Sequence, residues 1–143
     1  MEQEQEIDIE EYYHDLIKLL EKELKAHIEL KDVNEEKHEL LKKATSDDLA
    51  ILDRKILELN NQIEKLKDTR LNMCLELTGK YCNMMQLIEF TERKAPEFVK
   101  QLDEIRVDFE KLTKEIALLN NQNKRDIVRK IKEQSWGRSN TKF

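Results

Sequence analysis

"LAILDRKILELNNQIEKLKDTRLNMCLEL", residues 49–77, places apolar side chains at Leu49, Leu52, Ile56, Leu59, Ile63, Leu66, Met73 and Leu77, spacings that alternate three and four once position 70 is counted. That alternation is the a/d seam of a coiled coil: residues so spaced form one stripe along a helix, while the intervening Glu and Lys side chains supply a solvated face. Residue 70, which also falls on the stripe, is an arginine. Its simpler reading, taken here, is a stem lying along the apolar surface with the guanidinium in water. The alternative is an ion pair with a glutamate on a facing helix.

A second seam runs Phe98, Leu102, Ile105, Phe109, Leu112, Ile116, Leu119 and Asn123, again in steps of four and three. The N-terminal stretch is less regular, with Tyr13, Leu16, Leu20, Leu24 and Ile28 joined by Ile17, Leu30, Val33, Leu40 and Leu41. A wider stripe suits a helix that touches two partners. Breaks are few. "ATSDDLA" offers Thr45 or Ser46 as an N-cap with Asp47 and Asp48 in the first turn; Gly79 is a stop, and Pro96 suits the first position of a new helix. These signals predict helices over 7–44, 46–78 and 96–133, with "YCNMMQLIEF" between the last two as a short helical connection. The expected fold is all-α, an elongated antiparallel three-helix bundle or coiled coil, although helix one could instead continue, bent, into helix two. Residues 1–135 are expected to form a single helical domain and 136–143 a flexible basic tail.

Composition agrees with narrow seams rather than a thick core. Charged residues make up 40% of the 143 and aromatic residues 6%, and two glycines and one proline are too few for a sheet or a loop-rich fold. No apolar run reaches the roughly 18 residues of a membrane span, and the start is acidic where a secretory signal would be basic, so a cytosolic location is expected. Cys74 and Cys82, eight apart on what reads as one helix, would lie about 12 Å apart along its axis and are expected to be free thiols.

No phosphate-cradling glycine loop, nucleophile elbow or Cys/His cluster at ligand spacing is present, so neither catalysis, a cofactor nor a metal is expected. His14, His27 and His38 are too far apart to share one ion and are read as solvated helix residues. The net charge of −5 conceals an asymmetry: residues 1–11 carry six acids and no base, and residues 124–143 carry seven bases against two acids. Some of this suits the helix macrodipole. A nucleic-acid arm is disfavoured, because the segment has no interleaved aromatic platform and the protein is acidic. The C-terminal segment reads better as amphipathic, with Ile127, Val128 and Ile131 on one side, Arg125, Arg129 and Lys132 on another, and Trp136 past the last regular turn. Such an end could dock a partner helix.

Amides concentrate at Asn120, Asn121, Gln122 and Asn123. The tetrapeptide Leu119-Asn120-Asn121-Gln122 repeats Leu59-Asn60-Asn61-Gln62, but the earlier copy is followed by Ile63 in the next seam slot and the later one by Asn123. The earlier amides should therefore face water, while Asn123 ends a seam. Asn123 could mark the point where the bundle's own core stops and a partner's begins, or serve only to fix register.

The order of these parts resembles the FlgN family of flagellar export chaperones. The resemblance rests on "LIKLLEKEL", on "EEKHELLKKATSDDLAIL" with its acidic break, and on "KILELNNQIEKLKDTRLNMCLEL" with Arg70 among leucines. It continues through the apolar linker, the "AP" before the last helix, and "EIALLNNQNKRDI" with its N-x-x-N pattern, covering roughly residues 12–132. The resemblance implies a cytosolic export chaperone that binds hook-filament junction proteins through their helical terminal segments, prevents premature assembly and delivers them to export apparatus components at the membrane. Asn120 and Asn123 match the asparagine pair, and Leu119, Ile127, Val128, Ile131 and Trp136 complete the expected client-binding set. No nucleic acid is expected as a partner, and a homo-oligomer is possible. A structural coiled-coil subunit of a larger scaffold, or a regulator of a secretion ATPase, would show the same seams.

Overall fold

The computed structural model describes residues 8–43 and 46–141, with side chains described at 8–43 and 47–133. Four α-helices account for nearly all of them: α1 (Ile9–Lys43), α2 (Ser46–Thr78), α3 (Met84–Lys94) and α4 (Val99–Thr141), with a 3-10 turn at Pro96–Phe98 leading into α4. No strand occurs among the described residues.

Local chemistry sets each boundary. Asp8 accepts the Glu11 backbone N–H at 3.3 Å, and the acids of the first turn (Glu10, Glu11) and bases of the last (Lys42, Lys43) match the dipole of α1. α2 opens with Asp47 and Asp48 in its first turn; Thr45 lies outside the described residues. The helix stops at Thr78 because Gly79 turns left-handed (φ +80°) and its N–H returns to the Leu75 carbonyl at 2.8 Å. Asn83 and Gln86 then form a reciprocal capping box, with bonds of 2.9 and 3.0 Å, which starts α3. Pro96 begins the 3-10 turn, where its missing N–H removes no helical bond. The connection expected between helices two and three is therefore a helix in its own right. The last helix does not end near 133 but runs to Thr141, so the backbone of 136–141, expected as a tail, is helical.

α1 is the shared partner. Its contacts with α2 run in opposite directions along the two chains: Tyr12 Oη donates to the Met73 carbonyl at 2.8 Å, Arg70 Nε lies 2.9 Å from Glu23 Oε1, and Lys37 Nζ lies 2.6 Å from Asp53. Its contacts with α4 run in the same direction. Tyr13 stacks at 4.9 Å on Phe98, the residue just before α4, His27 meets Phe109 edge-on at 5.3 Å, Lys31 pairs with Glu115 at 2.6 Å, and His38 reaches Asp126 at 3.6 Å. α1 is thus antiparallel to α2 and parallel to α4, and the backbones of α2 and α4 stay farther from each other than either does from α1.

The apolar core lies at the end where α1 begins. Tyr13, Leu16, Ile17 and Leu20 of α1 meet Cys74 of α2, Cys82, Leu87 and Ile88 around α3, and Phe98, Leu102 and Ile105 at the start of α4. The Tyr13 hydroxyl finds the Thr91 hydroxyl at 2.7 Å, so its burial leaves no polar group unpaired. The two cysteines differ from the expectation. Because the chain turns back at Gly79, Cys82 leaves the helix and packs into the same buried cluster as Cys74. Both are free, and burial pushes the Cys74 thiol up to about 12, which makes it unreactive.

Candidate functional site

The seam of α1 is more regular than its apolar residues suggest. Leu16, Leu20, Glu23, His27, Leu30, Asn34 and Leu41 follow one another in steps of three, four or seven, and all but the half-buried His27 are buried. Three of the seven are polar, and each meets a designated partner.

Glu23 is 3% exposed and accepts Arg70 Nε at 2.9 Å. Arg70 therefore does not extend its head into water: it neutralises a buried carboxylate on the facing helix. Burial raises the Glu23 pKa and the Arg70 charge works against that rise, so the pair holds a charged state that desolvation opposes. One turn on, His27 packs edge-on against Phe109, and its Nδ1 is the one buried side-chain nitrogen or oxygen without a hydrogen bond among the described residues. Burial and the nearby Arg70 both lower its pKa, keeping the ring neutral. His38 is half-buried, and its Nδ1 lies 3.1 Å from Asn123 Oδ1. Of the three histidines read as solvated, only His14 is exposed, at 61% of its side chain.

Asn123 is 3% exposed. Its Nδ2 donates to the Asn34 carbonyl at 3.2 Å, while Asn34 Nδ2 donates to the Leu30 carbonyl at 2.9 Å. Both polar atoms of the Asn123 side chain are therefore engaged by α1, and the residue belongs to the chain's own core rather than to a surface open to a partner. It pins the register of α4 on α1. The twin amides Asn60, Asn61 and Gln62 are exposed, as expected.

On either side of Asn123 the cover is thinner. Leu119 and Ile127 are half-buried and Asn120 is exposed, while Val128 and Ile131 are 50% and 60% exposed. Trp136 lies on α4, and its side chain is outside those described. Val128 lies about 100° around the helix from Ile127, with Ile131 between them. It sits on the basic face, in a shallow groove of about 410 Å³ lined by Lys124, Arg125, Arg129 and Lys132. The sequence reading sets Arg125, Arg129 and Lys132 on another side from Val128, but steps of three and four put Arg125 and Lys132 beside it. Asp126 faces inward, 3.6 Å from His38 Nδ1 and 2.9 Å from Arg129.

This surface can bind by apolar contact and charge. The grooves elsewhere are likewise open, among them a cleft of about 380 Å³ lined by Met84, Met85 and Phe109 between α3 and α4. Among the described residues no group of three or more His, Cys, Asp or Glu side chains could hold a metal ion, and no helix is long and apolar enough to cross a membrane. Comparison of the chain with known protein families, with curated proteins and with solved structures gives no match in any of the three.

Proposed function

We propose that the protein is a binding protein of the flagellar export-chaperone kind, a three-helix bundle whose last helix offers its C-terminal part to helical terminal segments of hook-filament junction proteins. One observation carries this reading. α4 continues past Asn123 and Asp126, its last polar anchors on α1 among the described side chains, and there exposes Val128 and Ile131 on a basic helix. An amphipathic segment laid along that stretch would remove apolar surface from water on both partners. The client-binding set narrows accordingly to Val128 and Ile131, with Asn120 and Ile127 at its edge. Leu119 and Asn123 support it from within the bundle.

The test is co-purification of the full-length chain with hook-filament junction proteins, beside the double variant Val128→Asp, Ile131→Asp. Both positions are exposed, so the variant should fold. Retention by the wild type and loss by the variant is the expected result. Retention by neither, or equally by both, would sink the assignment.

A further inference from the structure

The two ends of the chain carry opposite charge. Residues 1–11 contain Glu2, Glu4, Glu6, Asp8, Glu10 and Glu11 with no base, whereas residues 124–132 contain Lys124, Arg125, Arg129, Lys130 and Lys132 against Asp126 alone. Since Asp126 is engaged by His38 and Arg129, Lys124, Arg125 and Lys132 are left exposed around Val128 with no ion-pair partner among the described residues. At the other end Asp8, Glu10 and Glu11 are exposed, and Ile9 among them is 43% exposed.

The parallel pairing of α1 and α4 decides which molecule can bring these ends together. Tyr13, one turn after Ile9, packs on Phe98 just before α4 begins, and the basic cluster surrounds Asp126, which reaches His38. Between Ile9 and His38 runs helix for about 44 Å at 1.5 Å per residue. Even fully extended, residues 1–8 could span only about 28 Å. A molecule cannot lay its own acidic segment on its own basic end.

We propose that the basic end of α4 receives the acidic N-terminal segment of a second copy of this chain, in a head-to-tail contact. Carboxylates of residues 2–11 meet Lys124, Arg125, Arg129 and Lys132, and Ile7 and Ile9 offer apolar surface to Val128 and Ile131. Such a contact uses a different surface on each partner, so every dimer keeps one free donor end and one free receiving end and can grow further. Because the charges are exposed, salt weakens the contact: the Debye length falls from about 10 Å at 0.1 M to about 3 Å at 1 M. The contact does not depend on the client reading, although a client on the same face of α4 would compete with it.

Light scattering on the full-length chain tests this, over a concentration series at low salt and at about 1 M salt. Two charge-reversal variants accompany it. Lys124→Glu, Arg125→Glu, Arg129→Glu and Lys132→Glu take residues 124–132 from +4 to −4, and Glu2→Lys, Glu4→Lys, Glu6→Lys and Glu10→Lys take residues 1–11 from −6 to +2. The reversed side chains of α4 and Glu10 are exposed, and circular dichroism checks that helicity is kept. The expected result is a wild-type mass that rises with concentration beyond a dimer and returns to the monomer in salt. Each variant alone should stay monomeric, and an equimolar mixture should assemble again, since each carries the charge the other has lost. A wild type that stays monomeric at low salt, assembly that survives salt, a variant that assembles like the wild type, or a mixture that stays monomeric overturns the proposal.

Discussion

The end of the molecule that gathers Tyr13, Leu87 and Leu102 and the end that joins Asn34, His38 and Asn123 share α1 and α4 but differ in what covers them. At the first, α2, α3 and the 3-10 turn close over α1 and α4, and the side chains inside are nearly all apolar. At the second, α3 is absent, and buried Leu30, Leu41 and Ile116 share the seam with hydrogen bonds among amides, a histidine and a carbonyl. The difference separates two tasks. Apolar packing supplies most of the stability where cover is complete. Where cover is thin, a polar partner with one correct position fixes alignment, which an apolar contact able to slide would leave open.

Removing bulk from the covered end should have the largest effect. Leu102 is fully buried, and Leu102→Ala should cost about 4 kcal/mol, while Leu119→Ala in the half-buried stretch should cost well under half of that. Equal losses in denaturant unfolding would erase the distinction between the ends. The polar layer between the ends comes next. Arg70→Leu leaves Glu23 buried without its cation and should cost about 3 kcal/mol, and the double variant with Glu23→Leu should recover most of it. No recovery would mean that the pair acts through something other than charge.

Asn123→Leu should destabilise by about 1 kcal/mol, because it removes the hydrogen bonds to His38 and to the Asn34 carbonyl without adding well-covered apolar surface. A gain in stability would show that the distal end is an ordinary apolar seam interrupted by chance. The smallest effect is read as a slope against pH. Burial lowers the His27 pKa below its ordinary 6.5, so the stability contributed by the neutral ring is complete above that value and is lost as pH falls through the lowered one. Glu23, whose pKa is raised above 4.5, acts in the opposite sense: its contribution is complete below 4.5 and is lost as pH rises through the raised value. His27→Phe should therefore lose less stability than the wild type on acidification below about pH 6.5, and identical slopes would remove His27 from the account.

Much of this architecture was legible in the sequence, for reasons that also explain what was not. The seams of α2 and α4 are written in leucine and isoleucine, and Gly79 and Pro96 mark chain reversals through their backbone limits. Reading α1 by apolar residues alone followed Leu24 and Ile28, but Ile28 is 43% exposed and the seam passes through Glu23 and His27 instead. A polar residue is recognisable as a seam member only together with its partner, and Arg70 and Asn123 lie 47 and 89 residues from Glu23 and Asn34. Had Arg70 been matched with an acid at seam spacing in α1, the pair could have been found. Ile127, Val128 and Ile131 span about 100° of the helix, and grouping them by type overlooked that Arg125 and Lys132 fall within reach of Val128 at steps of three and four.

The parallel pairing of α1 with α4 also has a kinetic consequence. Contacts between α1 and α2 begin at a sequence separation of 16, at Lys37 and Asp53, and lengthen to 64 at Tyr12 and Glu76, so this hairpin can zip outward from its bend. Between α1 and α4 the hydrogen-bonded pairs are already separated by 85 and 89 residues, and no short loop is available to start from. Closing such loops carries its entropic cost before any contact compensates. The hairpin should therefore form first, and α4 should dock late along its length. In pulse-labelled hydrogen exchange during refolding, amides of α4 should gain protection after those of α1 and α2. Until then one flank of α1, with His27, Asn34 and His38, stays open to water, and the order of synthesis from the N-terminus prolongs that interval.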